Sequence, residues 1–229
     1  MYCFFLVTLA EAICYIMDFE SVLSNSHTKK YLKETIDTNR IAHAQLFVGE
    51  EGVGTLPMAI AYATELLCKT GDAHTAIKCT HLNHPDLHFA YPTAITTQVK
   101  DHPTSSAFLE QWRQFVLETP YGSLFDWYQA IDIANKQGKI GVDDAKEITN
   151  KLSLKSFEGG YKVMIIWMAE KMNVDSANKL LKLLEEPAEK TLFLLIVEDE
   201  NALLDTIKSR CQILRFPPLS ENAIREGLI

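Results

Sequence analysis

Apolar positions in this chain fall into two patterns, short unbroken runs and runs spaced three and four residues apart. The unbroken runs predict buried strands, because a strand covered on both faces has no polar side to show. AQLFVG (44–49), YKVMIIWM (161–168) and TLFLLIV (191–197) are the three clear cases. QILRF (212–216) predicts an outer strand, and a short extended piece lies near LHFAYP (87–92). The spaced runs predict helices. Leu32 and Ile36 sit four apart among polar residues in a helix-rich opening over 18–40. PMAIAYATELLC (57–68) predicts an Ala-rich helix with Pro57 in its first turn, where a missing N–H is harmless. In AFLEQWRQFVLE (107–118), Phe108, Trp112, Phe115 and Val116 share one face. YGSLFDWYQAI (121–131) is a second aromatic-rich stretch. The pattern predicts further helices over 142–154, with early Asp143 and Asp144 at the positive end, over 174–186 before Pro187, and over 202–211. The remainder of 69–106 reads as loops.

Strands alternating with helices, each strand nearly all apolar, predict an α/β fold: a parallel sheet with helices on both faces. In such folds ligands bind at the carboxyl ends of the strands. Pro217-Pro218 marks a boundary, so the expected α/β domain is 17–217, and 218–229 reads as the start of a second, helical domain. Residues 1–16, MYCFFLVTLAEAICYI, are apolar, with Glu11 as their only charge. They lack the basic n-region of a signal peptide and are shorter than the ~20 residues that span a bilayer. Met17 is therefore the expected natural start, and 1–16 an extension outside the native domain; a genuine anchor or signal is the competing reading.

Composition narrows the function classes. With 47% hydrophobic and 23% charged residues, the chain is not of the disordered class. A net charge of −8 argues against wrapping nucleic acid unaided, which needs clustered Lys and Arg to displace phosphate counterions. It leaves room for a local basic edge, or for reaching DNA through partners. The five cysteines are odd in number, irregularly spaced and without C-x-x-C, which points to free thiols in a reducing cytoplasm.

Gly49-Glu50-Glu51-Gly52-Val53-Gly54-Thr55-Leu56 lies between a predicted strand and a predicted helix, where a phosphate-binding G-x-x-x-x-G-K-[ST] loop would lie. Gly49 and Gly54 fit that pattern. Thr55 stands in place of the lysine, Leu56 in place of the Mg²⁺-holding hydroxyl, and Glu50 and Glu51 bring negative charge to a loop meant for anions. A bare glycine turn explains the glycines equally well. At the end of the 161–168 run, Trp167 and Met168 occupy positions where P-loop NTPases carry acids that hold Mg²⁺. In CKTGDAHTAIKCTHLNHPDLH (68–88), Cys68 and Cys79 with His74, His81, His84 and His88 contain enough ligand types for a tetrahedral metal site. No C-x₂₋₄-C pair occurs, so a metal-free loop is expected, and H-E-x-x-H, which a zinc hydrolase of that kind would show, is absent. Trp112, Phe115, Phe125, Trp127 and Tyr128 have only Arg113 interleaved, so they predict core or subunit packing rather than base stacking.

SANKLLKLLEEPAEKTLFLLIVEDENALLDTIKSRCQILRF (176–216) is the most specific stretch. It resembles the clamp-loader ATPase family, in which a helix of the form S-x-N-x-L-L-K-x-L-E-E-P precedes a strand and then a helix ending in Ser-Arg-Cys. Ser176, Asn178, Leu180, Leu181, Lys182, Leu184, Glu185, Glu186 and Pro187 carry the first part, and Ser209, Arg210 and Cys211 the second. RIAHAQLFVG (40–49) resembles the family's approach to its P-loop, and the similarity spans 18–229. The resemblance implies a P-loop AAA+-type fold followed by the start of a small helical lid domain. The changes at 55, 56, 167 and 168 resemble the family's non-ATPase members, the delta-prime subunits of bacterial DNA polymerase III. For such a member, Gly49, Gly52, Gly54 and Thr55 form a degenerate, inactive P-loop. Arg210, with Ser209, is presented to ATP on a neighbouring subunit as an arginine finger, a task suited to a planar, always-charged guanidinium. Taken alone, Arg210 reads as an ordinary salt bridge. Delta-prime proteins often hold zinc on four cysteines near 68–88, and only Cys68 and Cys79 are present here. The implied partners are the motor subunits and the delta subunit, with the sliding clamp and DNA reached through the assembly and no membrane involved; no cofactor is expected beyond ATP in the neighbours. The alternative function is an active AAA+ ATPase of the clamp-loader or helicase-loader type, against which the four substituted positions stand.

If residues 1–16 are foreign to the domain, a chain starting at Met17 is expected to melt at the same temperature as the longer one. A clear drop in its thermal midpoint would show that the segment packs as a real element.

Overall fold

The computed structural model describes residues 17–227 apart from 24, 72, 73, 134 and 135, so the 1–16 extension lies outside the described residues. The apolar runs become strands, and all five pair in parallel: β1 (Ala44–Val48), β2 (Leu87–Ala90), β3 (Lys162–Trp167), β4 (Thr191–Val197) and β5 (Gln212–Arg215), in the order β2-β3-β4-β1-β5. Each side of the sheet is apolar, as a doubly covered sheet requires. Phe47, Val163, Ile165, Leu192, Leu194 and Ile196 face one layer. Leu46, Met164, Ile166, Phe193, Leu195 and Val197 face the other.

The first layer is built from α1 (Ser26–Asp37), α2 (Thr55–Thr70), α3 (Thr75–Thr80), α4 (Leu109–Glu118) and α5 (Leu124–Ala130). The α1 residues Leu32 and Ile36 are buried as their spacing predicts, and so is the Phe108, Trp112, Phe115, Val116 face. The middle of α2, Ala59 to Ala63, is buried on every side, which explains its alanine content: small side chains let neighbouring backbones approach. Pro57 sits in the first turn of α2, where the N–H groups have no intrahelical partner. The second layer is built from α6 (Val142–Ser153), α7 (Val174–Glu185) and α8 (Asp205–Lys208). A last helix, α9 (Glu221–Gly227), follows Pro217-Pro218.

Two expectations change. The 69–106 stretch contains α3, whose six residues are too few to show a period; it is fixed by buried Cys79 and by Thr75 Oγ1, which donates to Glu158 at 2.8 Å. The helix expected over 202–211 is a single turn, α8. Asp199 caps a short 3-10 turn at Glu200–Ala202, and Leu203 then runs extended so that it and Ile207 both reach the core. Asp144 also does more than complement a helix dipole. Its buried carboxylate accepts the Gly141 N–H at 3.0 Å, the Ser105 N–H at 2.7 Å and the Ser105 hydroxyl at 2.8 Å, tying α6 to the segment before α4. Among the described residues no helix is long and apolar enough to cross a membrane.

The loop ahead of β3 is anchored by two carboxylates. Asp86 accepts the N–H groups of Phe157 and Glu158 at 2.8 and 3.1 Å. Glu158 receives Lys78 at 2.6 Å and Thr75 at 2.8 Å, and lies 3.0 Å from His84 Nε2. The Asp86 N–H donates to His84 Nδ1 at 3.1 Å, so Nε2 carries the proton given to Glu158. These donors, Lys78 foremost, hold the Glu158 carboxyl at about 2, below its ordinary 4.5. A depressed carboxylate stabilises the fold above its unfolded pKa and loses that contribution as pH falls towards the folded one. Glu158→Gln should therefore lower the urea midpoint at pH 7, with the gap to wild type closing between about 4.5 and about 2. A gap of constant size across that range would show that the charge is immaterial.

Candidate functional site

The β1 strand ends at Val48, the chain turns through Gly49 to Gly54, and α2 begins at Thr55. Gly52 and Gly54 have φ of 79° and 90°, a left-handed backbone that favours glycine. A side chain on Gly54 would also meet the ring of Tyr121, whose Cε1 lies 2.9 Å from the place of a Cβ. The loop is pinned further by Asn25 Nδ2, which donates to the Val53 carbonyl at 3.3 Å, and Tyr121 is held by the Leu23 N–H, donated to its hydroxyl at 2.7 Å.

The backbone thus keeps a phosphate-loop shape at the start of a helix, in acidic surroundings. The cavity over the loop is about 20 Å³, lined in part by Glu50, Glu51, Tyr121, Trp167 and Glu198. The outer side of the loop, Glu50 to Val53, borders a far larger cavity of about 780 Å³ that Tyr121, Leu219 and Ile224 also line, whereas this one has room for one water. Three carboxylates and no lysine or arginine line it. Burial and the charge of Glu51 both push the Glu198 carboxyl above its ordinary range, the behaviour of a place hostile to further negative charge. Thr55 and Leu56 are buried at the start of α2. Trp167 is 5.2 Å from Trp112 and 5.9 Å from Phe115, centroid to centroid, and belongs to the aromatic core. Met168 follows in a left-handed conformation, φ 56°, and is also buried. Neither side chain can ligate Mg²⁺.

Arg210 lies elsewhere. Gln212 pairs with Gln45 at the start of β1, so Arg210, two residues earlier, sits at the amino end of the sheet, opposite the glycine loop. Its Nη1 donates to the Thr206 carbonyl at 2.7 Å and approaches Ser209 Oγ at 3.4 Å. Its Nη2 donates to Glu185 Oε1 at 2.5 Å. The guanidinium is thus aimed, yet its side chain remains 35% exposed. Cys211 turns inward, and burial pushes its thiol up to about 12.

The cysteine and histidine cluster does not fit a metal. Cys68 and Cys79 are hydrogen-bonded to each other, and burial above all pushes the Cys79 thiol up to about 12, away from the thiolate a metal needs. His84 is committed to Glu158 and to the Asp86 N–H. Among the described residues no three His, Cys, Asp or Glu side chains gather where they could hold an ion. Of the aromatic set, Trp112, Phe115 and Trp127 are core, and Tyr128 donates to the Gly138 carbonyl at 3.1 Å. Phe125 is 57% exposed on the short α5, so of the two expected roles, core or subunit packing, it does not fill the first. Two contributors escaped the sequence reading. Glu185 is visible only as a letter of the L-E-E-P motif until the fold sets it beside Arg210. Tyr121 carries no local signal, being 67 residues from the glycine it covers.

A family profile described as "DNA polymerase III, delta subunit" matches residues 24–220. The DNA polymerase III subunit delta′ of Bacillus subtilis is 32% identical over 206 residues, which are 87% of this chain and 50% of that protein. The delta′ subunit of Pseudomonas aeruginosa is 33% identical over 177 residues, 74% of this chain and 42% of the relative. The chain thus spans about half the length of the curated relatives it matches. Among solved structures, the Thermotoga maritima RuvB Holliday junction branch migration motor superposes with a TM-score of 0.52 at 14% identity, over 93% of this chain and 51% of that one. At that identity the likeness concerns the fold alone, an AAA+-type α/β fold. The family match covers most of the described residues, and the chain belongs to the family described as DNA polymerase III, delta subunit.

Proposed function

We propose that this chain is the α/β part of a non-catalytic, stator-type subunit of the replicative clamp loader, which supports loading of the sliding clamp onto primed DNA. The observation that carries the reading is the separation within one sheet. A phosphate-loop backbone with carboxylates and no lysine or arginine around it lies at one end, and an arginine held by Glu185 at the other. A subunit that binds no ATP of its own can still act on a neighbour's ATP through that arginine. Arg210 is the finger in this reading. Ser209, at 3.4 Å, and Glu185, at 2.5 Å, position it until a neighbouring γ-phosphate competes for the guanidinium. The relatives are named as subunits of DNA polymerase III, which supports assembly with other subunits; in this reading the motor and delta subunits are the direct partners, with DNA and the clamp reached through the assembly. The same reading places the protein in the cytoplasm, takes 17–217 as the AAA+-type domain and 218–229 as the opening of the helical lid, and assigns ATP to the neighbours alone. An active ATPase would need substitutes at Thr55, Leu56, Trp167 and Met168 together.

Purified protein with Mg²⁺ and ATP is expected to show no steady-state turnover. Turnover that vanished when Gly54 was replaced by a bulky residue would overturn the reading.

Arg210→Ala is expected to fold normally, because a solvent-exposed ion pair contributes about 0–1 kcal/mol. In a reconstituted loader it should depress DNA- and clamp-stimulated ATP hydrolysis. Trans fingers supply roughly 10³–10⁵ in rate in GTPases, and the loss here would be smaller because several sites fire. Arg210→Lys should not restore the rate, since an ammonium lacks the planar fork. An assembled Ala variant with the wild-type rate would leave only a scaffold role.

A further inference from the structure

A cavity of about 260 Å³ opens among the start of β2, the 3-10 turn at Ser105–Phe108, α6 and the amino-terminal half of α4, whose other end, Leu117 and Glu118, borders the cavity beside the glycine loop. Its polar wall is basic. Arg113, Lys151, His84 and His88 line it, and no carboxylate does, in a chain whose net charge is −8. Some of these groups are spent. His84 is taken by Glu158 and the Asp86 N–H, and Ser105 by Asp144 and by Tyr91. Three groups keep donors in hand. Arg113 donates Nε to the Leu82 carbonyl at 3.0 Å, which fixes the guanidinium plane, while its two Nη groups have no hydrogen-bond partner among the described residues. Lys151 donates to Ser106 Oγ at 2.8 Å and stands 3.6 Å from Glu147, so its charge is only partly neutralised. The half-buried His88 ring has no hydrogen-bond partner among the described residues.

We propose that this cavity binds a small oxyanion of the phosphomonoester class, held by Arg113 and Lys151 with His88 as a neutral donor. A fixed guanidinium beside an ammonium suits a tetrahedral dianion, since charge-assisted bonds from a fork match two of its oxygens at once. The volume exceeds that of phosphate itself, and Leu82, Leu87, Phe89 and Leu109 supply an apolar wall for a small organic appendage. The groups facing His88 agree with a positive interior. Lys151 from α6, Lys162 from β3 and His84 act with burial, the largest cause, to pull its pKa down to about 4, and only Asp86 opposes them.

The test uses the chain as it stands, with inorganic phosphate as the probe at constant ionic strength and pH 7, read on the His88 ring resonances. Binding predicts a saturable shift and a rise of the His88 pKa from about 4, because a dianion favours the imidazolium. Arg113→Gln and Lys151→Gln should each weaken the apparent affinity about tenfold, the scale of one lost charged hydrogen bond. Thermal melts confirm that both variants fold, and the lysine variant tests the site without touching the Arg113–Leu82 bond. Competition by a 5′-phosphorylated oligonucleotide but not by its unphosphorylated form would support the site and name a strand end as the source. Competition by a free phosphomonoester alone would support it and name a small metabolite. No saturable shift up to about 50 mM phosphate, well past weak binding, would overturn the proposal. So would shifts of wild-type size in both variants.

Discussion

A parallel strand with no exposed residue, as β4 is from Thr191 to Val197, exists only with a strand on each side and an apolar layer on each face. Its backbone groups find partners in β1 and β3, because buried N–H and C=O groups cannot be left unpaired. Its side chains alternate between the two layers, Leu192, Leu194 and Ile196 to one and Phe193, Leu195 and Val197 to the other. Since every strand is parallel, all carboxyl ends fall on one edge and all amino ends on the other. The glycine loop after β1 and the strand-end residues Trp167 and Met168 therefore converge, while Arg210, which precedes β5, is sent to the opposite edge. The division of chemistry between the two edges follows from strand direction alone.

The layers are held by different means. The layer carrying α2, α4 and α5 contains a continuous aromatic cluster, with Tyr91 stacked on Trp112 at 4.0 Å and Trp127 set edge-on to both. Such clusters combine large apolar area with a preferred ring geometry. Trp127 also donates its indole N–H to the Pro92 carbonyl at 2.8 Å, so the polar edge of that ring is not stranded in the core. The α6 and α7 layer is aliphatic and relies on polar staples at its rim: Asp144 on Ser105, and Ser176 Oγ on the Ile140 carbonyl at 2.9 Å. Buried Lys162 belongs to this rim too. Its ammonium donates to the carbonyls of Leu152 and Leu154 at the end of α6, where a helix terminus favours positive charge.

Most of this was legible in the sequence because it depends on periodicity. The unbroken runs at 44–49, 161–168 and 191–197 cannot be amphipathic, and the Phe108, Trp112, Phe115, Val116 spacing fits only a helix. What escaped depends on contacts distant in sequence. The α3 helix is made by Glu158, some eighty residues downstream. The helix expected over 202–211 was broken because Leu203 and Ile207 satisfy the core better from an extended segment and a single turn. At the glycine loop, the missing lysine and acids were readable letter by letter. The ring that covers Gly54 was not, because Tyr121 arrives from the segment between α4 and α5. Arg210 was readable as a motif, whereas its hold on Glu185 required the fold.

The hydrogen bond from the Leu23 N–H to the Tyr121 hydroxyl has a consequence for how this surface behaves over time. In a loop shaped by its ligand, order comes and goes with occupancy, and stability tracks ligand concentration. Here the chain supplies its own occupant: a phenol ring covering Gly54, tethered by the segment that leads into α1. The order of the loop is then part of the folding equilibrium itself. It varies with temperature and denaturant as the core does.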